Sequence, residues 1–390
     1  MNATARIIAM AILFCAAPFP AQAGIDAWRK IALDKTHIIS LVNDPAWPST
    51  ILYATTPQGL LKSLDGGNTW NRIGETLPQG IPPSVITIAP CSHLEVYVGY
   101  DGLGVFKSDD GGQTWQPMNE GLPGLSVHTI AVNCINPNNV YMGTRDGLAI
   151  SNSGGRFWHM HTSFKPSINV SAIAPDPHYP QIIYVGTEGA GIFKSGNGGV
   201  TWRAFNEGLD GLNITVLYID PNNPAIVLAG VHHPATQADA HSGESGGGVF
   251  RSTNRGNTWH RSSLLNNRIF SFTGDPAYPN VVYASTDGGI YRSVDSGLSW
   301  TSINADLDTL FPHTILFLPA NPPVLLAGTT SGLFSYTDTT VEMQEQGSDS
   351  STTIIAFGLG GVAALGLLSA FLWLRRRRKD STPDRQQSVW

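Results

Sequence analysis

Apolar residues along most of the chain come in short runs that are separated by turns rich in Gly, Pro and Asp. Residues 85–89, 96–100, 104–108 and 114–118 show four such runs in succession. Runs of this length, bounded by turn-forming residues, are typical of β-strands. We therefore predict a structural unit of four short strands.

A phrase of eight residues lies between the third and fourth runs and recurs along the chain. The six copies begin with Ser and end with Trp, and they occupy residues 63–70, 108–115, 151–158, 195–202, 252–259 and 293–300. Their third positions are Asp65, Asp110, Ser153, Asn197, Asn254 and Asp295. Successive Trp residues are 45, 43, 44, 57 and 41 positions apart. A period of 40 to 50 residues with four strands predicts a β-propeller.

Two incomplete units flank the six complete ones. Trp28 stands 42 residues before Trp70 and has no preceding phrase, while residues 314–318, 324–329 and 332–336 supply three strands without a fourth. These fragments complement each other, and a closed ring leaves no exposed sheet edge. We predict an all-β, seven-bladed propeller over residues 24–338, in which a strand at Trp28 completes the last blade.

The repeated phrase resembles the Asp-box, or BNR, repeat. Its physics is structural: the Asp or Asn side chain accepts backbone N–H groups inside the turn, Gly permits positive φ, and Trp packs between blades. The six box residues are therefore expected to join the third and fourth strands of their blades. They carry almost no catalytic information.

A second phrase, Asp-Pro with another Pro three residues later, begins at Asp44, Asp176, Asp220 and Asp275. Together with the boxes it resembles the sortilin-like, xyloglucan-hydrolase-like and photosystem II assembly-factor groups of Asp-box propellers. Sortilin-like receptors have a larger propeller and a Cys-rich module, and xyloglucan hydrolases use acidic residues from two propellers. A single seven-bladed propeller best resembles the photosystem II assembly and stability factors, which implies a scaffold that acts like a chaperone.

Both ends of the chain carry targeting signals. Residues 1–23 contain Arg6, an apolar run and an Ala-Gln-Ala site, as secretory signals do. Residues 354–374 are 21 uncharged positions, enough for a transmembrane helix, and follow a polar linker at 339–353. The basic tail, 375–390, is then expected in the cytoplasm and the propeller in the periplasm. Ala356, Gly360 and Ala364 would permit a homodimer through this helix.

Composition narrows the range of partners. Only 13% of the residues are charged, and residues 24–374 carry 16 Lys and Arg against 27 Asp and Glu. An exported region with a net charge of −11 argues against nucleic-acid binding. We expect an exported or membrane protein as partner, and a glycan is the alternative.

A sialidase-like enzyme is the sharpest alternative function, because such enzymes also carry Asp boxes. Their sites need several arginines, a Tyr nucleophile with a Glu, and an acid on the channel face. The innermost strands are predicted to begin near His37, Ser84, Ser126, Asn169, Asn213, Arg268 and Thr314. Only Arg268 offers a guanidinium there, so we predict no catalytic residues. A ligand-sensing receptor is a further alternative, although the short tail contains no signalling domain.

One face of the ring concentrates the remaining candidate residues. The long interval contains an insertion at 231–247 with His232, His233, Asp239, His241 and Glu244, whose spacing matches no zinc motif. We expect neither a metal nor a cofactor.

Four acidic residues lie on the same face, opposite the boxes, and each is followed by Gly: Asp101, Asp146, Glu188 and Asp287. These acids, together with His232, His233, His241 and Arg268, form the predicted partner-binding face, with plain turn chemistry as the alternative for the Asp-Gly pairs.

Two cysteines remain once Cys15 leaves with the signal. Cys91 and Cys134 follow the innermost strands of adjacent blades at nearly matching positions. In an oxidising compartment this placement predicts a disulfide, and two buried thiols are the alternative.

Overall fold

The fold is a ring of seven antiparallel sheets. The computed structural model describes residues 27–45, 50–133, 135–164, 168–233, 247–305, 307, 311–319 and 323–337. Within these residues, 28 strands form seven four-stranded sheets, which are the blades of the propeller.

Each blade contributes one strand to each of four concentric rings. The innermost strands are β2 (Ser40–Asn43), β6 (Pro83–Ala89), β10 (Val127–Val132), β14 (Val170–Pro175), β18 (Ile214–Ile219), β22 (Ile269–Gly274) and β26 (Pro312–Leu318). The second strands are β3 (Leu52–Thr56), β7 (Ser92–Tyr100), β11 (Val140–Thr144), β15 (Ile183–Thr187), β19 (Val227–His232), β23 (Val282–Thr286) and β27 (Val324–Thr329). The third strands are β4 (Gly59–Ser63), β8 (Gly104–Ser108), β12 (Gly147–Ser151), β16 (Gly191–Ser195), β20 (Gly247–Ser252), β24 (Gly289–Ser293) and β28 (Gly332–Thr337). The outermost strands are β5 (Asn71–Ile73), β9 (Gln116–Pro117), β13 (His159–Met160), β17 (Arg203–Ala204), β21 (His260–Leu265), β25 (Thr301–Ser302) and β1 (Arg29–Ala32).

The ring closes as predicted, with the first strand of the chain in the last blade. Blade 7 has the order β1, β28, β27, β26, and β1 is antiparallel to β28. Trp28, directly before β1, is buried, and its indole Nε1 donates to the carbonyl oxygen of Ile303 in blade 6 at 2.6 Å. The innermost strands of blades 7 and 1 also contact each other. The prediction of a seven-bladed, all-β ring is therefore confirmed.

The antiparallel connections divide the turns between two faces. Turns between first and second strands, and the Asp boxes between third and fourth strands, lie on one face, which we call the box face. Turns between second and third strands, and the links from one blade to the next, lie on the opposite face, which we call the box-free face. Every candidate partner-binding residue that the structure describes is on the box-free face.

Six innermost strands carry a β-bulge close to the box-free face. Their bulge residues are Ser84, His128, Ser171, Thr215, Phe270 and His313. Three of them have hydroxyls that reach the next blade: Ser84 Oγ, for example, donates to the carbonyl oxygen of Val127 at 2.8 Å. A bulge re-aims its side chain. Here it places one side chain per strand at the junction of two blades.

Two strand boundaries differ from the sequence prediction for a physical reason. The fourth strand of blade 2 is only Gln116–Pro117, because Thr114 belongs to the box turn, where its N–H bonds to Asp110. The insertion also begins later than predicted, since β19 continues through His232.

The predicted signal, polar linker, transmembrane helix and basic tail all lie outside the described residues. Among the residues that the structure does describe, no helix is long and apolar enough to span a membrane.

Candidate binding face

The Asp-box side chains are occupied within their own turns. Asp295 shows the pattern: Oδ1 accepts the backbone N–H of Ser299 at 2.8 Å, and Oδ2 accepts its hydroxyl at 2.6 Å. The residue four positions after the box residue also donates its N–H in the other five turns, to Asp65, Asp110, Ser153, Asn197 and Asn254. These polar side chains are therefore structural.

Hydrogen bonding sets the ionisation of the Asp boxes. Burial alone would raise the pKa of Asp295, but bonds from Ser299, Ser293 and Leu298 outweigh it and hold the pKa below its ordinary value. The pKa of Asp65 is lowered against the same opposing effect of burial. Bonds from Thr114 and Ser108 lower the pKa of the exposed Asp110 carboxyl strongly.

A tyrosine of the second strand ties four blades to the box turn of the next blade. Tyr53 Oη donates to the carbonyl oxygen of Gly111 at 2.8 Å, and Lys62 Nζ donates to the same oxygen at 2.7 Å. Tyr97, Tyr141 and Tyr184 make the corresponding bonds to the following boxes. Burial, with smaller contributions from Asp44 and Asp110, raises the pKa of Tyr53 to about 12. These bonds were not predicted, because a Tyr within a strand looks like any core aromatic.

The predicted acids on the box-free face come from four different blades. Asp101, Asp146, Glu188 and Asp287 are all exposed. Asp101 lies 3.6 Å from the guanidinium of Arg145. Glu188 donates its backbone N–H to the carbonyl oxygen of Asn169 at 2.9 Å. The four acids thus sit at turns with exposed side chains, although the Asp287 carboxylate also accepts the backbone N–H of Arg268 at 3.0 Å.

The base of the insertion is held by a cluster of three side chains. Asp210, in the link that follows blade 4, accepts His233 Nε2 at 3.0 Å on Oδ1 and forms an ion pair with Arg261 through Oδ2. Asp210 and Arg261 were not singled out by the sequence analysis, because 51 residues separate them. His241, Asp239 and Glu244 lie outside the described residues.

Side chains of blades 6, 7 and 1 line one side of the channel mouth. The Arg268 guanidinium carbon lies 5.7 Å from the centre of the Phe270 ring. Phe270 and His313 have ring centres 5.3 Å apart, and His313 and His37 have ring centres 4.9 Å apart. We call these four residues the mouth arc. Of the four, sequence reasoning selected only Arg268 as a site residue.

Two predicted starting points of innermost strands lie close to the observed ones, because β6 begins at Pro83, next to Ser84, and β26 begins at Pro312, two residues before Thr314. Ser84 is the bulge residue of β6, and Thr314 follows the bulge residue His313 in β26.

An open groove of about 340 Å³ lies between blades 3 and 4 next to the box of blade 4. His159, Met160, His161 and Val200 help to line it. Both ring nitrogens of His161 are engaged, since Nε2 lies 3.2 Å from the carbonyl oxygen of Val200 and Nδ1 accepts the N–H of Ser163. The imidazole of His161 therefore joins the blades.

The described residues contain no group of three or more His, Cys, Asp or Glu side chains that could hold a metal ion. Cys91 is exposed in the turn between β6 and β7. Cys134 lies outside the described residues, so the disulfide stays a prediction.

Comparison with known repeats identifies the turn motif. The family model of the BNR/Asp-box repeat matches residues 106–117. The second blade therefore carries a BNR/Asp-box repeat. No curated protein matches the chain.

Several solved structures share the fold at low sequence identity. A GH74 xyloglucanase from Xanthomonas campestris has a TM-score of 0.64 and 18% identity, and the match covers 80% of this chain and 54% of that one. YCF48 bound to a D1 peptide has a TM-score of 0.58 and 17% identity over 84% of this chain and 97% of that one. The extracellular domain of a putative one-component system from B. thetaiotaomicron has a TM-score of 0.61 and 15% identity over 80% of this chain and 40% of that one. The chain thus spans about half of the xyloglucanase, and these likenesses concern the fold.

Proposed function

We propose that this protein is a non-enzymatic scaffold, exported and anchored in the cytoplasmic membrane, that holds another exported or membrane protein on its box-free face. One observation carries the proposal. The polar side chains of the Asp boxes are used inside their own turns, whereas Asp101, Asp146 and Glu188 are exposed on backbones fixed at turns, with Asp101 paired to the equally exposed Arg145. A rigid platform with outward groups on one face suits partner binding.

The comparisons are compatible with this role. YCF48, seen with a D1 peptide, matches this chain over nearly its whole length, whereas the match covers about half of the xyloglucanase. Separate blades supply the outward carboxylates, while a glycosidase needs two carboxyl groups held together across a bond.

The test is affinity capture of the full-length protein from its native membrane with a charge-reversed face. The triple variant Asp101→Lys, Asp146→Lys and Glu188→Lys alters the box-free face. The matched control, Asp109→Lys, Gln113→Lys and Asn257→Lys, alters exposed positions of the box face.

We expect a stoichiometric protein partner that the first variant loses and the control retains. Loss from both variants alike would refute the assignment of the face. Hydrolysis of xyloglucan or of a sialoside by the purified protein would overturn the non-enzymatic role.

A further inference from the structure

The mouth arc gathers positive and aromatic groups on a face whose other outward groups are mainly acidic. Its members come from the start of three blades, and ring closure brings His37 and His313 together although 276 positions separate them. Phe311, two residues before His313 at the entry to blade 7, is 51% exposed. The arc thus offers a row of three mutually tilted rings with a cation at one end.

The cation of the arc is available to a ligand. Among the described residues, the Arg268 guanidinium forms no salt bridge, whereas Arg145 is paired with Asp101 and Arg261 with Asp210. The nearby Asp287 carboxylate accepts the backbone N–H of Arg268 at 3.0 Å. Asp287 therefore fixes the backbone that carries the guanidinium.

The electrostatic surroundings of His313 are positive. Burial lowers its pKa, and the neighbouring His37 and Arg268 lower it further. Burial and then Arg268 likewise lower the pKa of His232, while Asp287 and Glu188 act in the opposite direction there. Asp287 and Glu188 thus offset the positive potential at His232 in blade 5. The potential at His313 in blade 7 stays positive.

We propose that the mouth arc is a carboxylate-binding subsite for an acidic side chain or chain terminus of an extended peptide. This inference rests on the proposed function and names the chemistry of its partner. The planar Arg268 guanidinium can donate two parallel hydrogen bonds to a carboxylate. Phe270 and Phe311 contact the apolar part of the peptide, and His37 and His313 add charge when protonated.

The pH dependence of binding follows from the imidazoles. A bound carboxylate favours protonated His313, so binding takes up a proton and strengthens as the pH falls towards the pKa of His313, which lies below the ordinary imidazole value. The charged or titratable groups that act on His313 are His37 and Arg268, which both disfavour its protonation, and a bound carboxylate acts in the opposite direction. Arg268 remains charged throughout.

The experiment measures binding of three probes to the purified full-length chain by fluorescence anisotropy and competition. The first probe is a fluorescein-labelled peptide, Gly-Gly-Phe-Asp-Glu, with free carboxylates. The second is its counterpart with Asn, Gln and a C-terminal amide, and the third is unlabelled glutarate. The variants are Arg268→Gln and His313→Phe, and Arg145→Gln is the matched control on the same face.

We expect the acidic peptide to bind about tenfold more tightly than the amide, and Arg268→Gln to remove that preference, as loss of one charge-assisted pair would. Arg145→Gln should keep the preference, and His313→Phe should flatten its dependence on pH. Equal binding of the two peptides, or a preference that survives Arg268→Gln, would overturn the subsite. Glutarate binding as tight as that of the acidic peptide would overturn the assignment to a peptide.

The result can be separated from that of the capture experiment. A partner that depends on Asp101, Asp146 and Glu188, together with peptides that bind equally, would retain the scaffold and reject the subsite. A preference for the acidic peptide that depends on Arg268, without any captured partner, would retain the subsite and reject the scaffold. Histidine NMR gives a second readout, because the Cε1–H resonance of His313 should shift with the acidic peptide in the native protein and in Arg145→Gln.

Discussion

At the scale of single residues, the box depends on an acceptor rather than on a charge. The boxes built on Asn197 and Asn254 accept the same backbone N–H, at 2.9 Å, that Asp295 accepts at 2.8 Å. Where the first box Gly is replaced, as at Arg255 and Ser296, the backbone keeps positive φ values of 59° and 57°. Turn geometry is thus preserved while its residues vary.

Asp295→Ala should lower the free energy of unfolding by about 1 to 2 kcal/mol, because two backbone N–H groups lose their acceptor at a partly buried turn. Asp295→Asn should stay within about 0.5 kcal/mol of the native protein, because Asn keeps Oδ1. Urea unfolding followed by circular dichroism measures both. Equal losses in the two variants would show that charge, and not the acceptor, stabilises the turn.

Acid should weaken the three Asp boxes together. Their carboxyl pKa values are lower in the folded chain than in the unfolded chain, so this stabilisation is present above about pH 4 and is lost as the pH falls below it. The triple variant Asp65→Asn, Asp110→Asn and Asp295→Asn should show a flatter dependence of unfolding free energy on pH between about 4 and 2. An unchanged slope in urea titrations at successive pH values would contradict this.

At the scale of elements, the blades alternate in how their outer Trp is held. Trp158 and Trp259, in blades 3 and 5, donate to carbonyl oxygens of the preceding blade, Met118 and Phe205, each at 2.8 Å. Trp28 does the same in blade 7. Trp70, Trp115, Trp202 and Trp300 donate to a Gly of their own box, and Trp300 also donates to the Ser262 hydroxyl of blade 5 at 2.8 Å. The cross-blade bonds tie blade 3 to blade 2, blade 5 to blade 4 and blade 7 to blade 6, and the bond from Trp300 also ties blade 6 to blade 5.

Gly121 lies at one of these junctions and tests the coupling. A Cβ there would clash with the carbonyl oxygen of Trp158, and its φ is 86°. Gly80 has a φ of 81° and open space around it, so Gly80→Ala should cost only the conformational strain, about 1 to 2 kcal/mol. Gly121→Ala should cost at least about 2 kcal/mol more, since close-packed backbone must move. Similar denaturant midpoints for Gly80→Ala and Gly121→Ala would argue against close packing between blades 2 and 3 at Gly121.

The blades could be predicted from the sequence, whereas the contacts between blades could not. The period of the boxes predicted the blades, because each box fixes one turn and the strands on either side of it. The Asn-Glu-Gly-Leu segments at 119–122 and 206–209 mark these junctions, yet only the structure shows that the backbone carbonyl oxygens of Glu120 and Glu207 accept the backbone N–H groups of Trp158 and Trp259 in the next blade. The mouth arc was missed because His37 and His313 become neighbours only when the ring closes.

At the scale of the whole molecule, stability depends on the junction where the ring closes. Trp28 is 4% exposed, and its ring centre lies 5.1 Å from that of Tyr336. It belongs to one core cluster with side chains of blades 6 and 7, such as Tyr283 and Phe317. Loss of this side chain would open a cavity between two blades.

Trp28→Ala should reduce the free energy of unfolding by about 3 to 5 kcal/mol, as for a buried aromatic. The matched variant, Trp70→Ala, removes a Trp that is only half-buried and donates within its own box, so the loss should be smaller. Guanidinium unfolding monitored by circular dichroism compares them. Equal losses of unfolding free energy in the two variants would mean that Trp28 stabilises the ring no more than the Trp of an ordinary blade does.

The pairing of β1 with β28 also decides how the ring responds to mechanical load. Arg29 lies opposite Ser335 and Ala32 opposite Leu333, so the beginning of β1 is next to the end of β28, and both of these strand ends lie at the box face. A pull that separates these ends acts on one hydrogen bond at a time, like the opening of a zip, and does not load the strand pair in shear. Tension on the two ends would peel β1 away first, whereas tension between neighbouring blades would meet the whole packed ring.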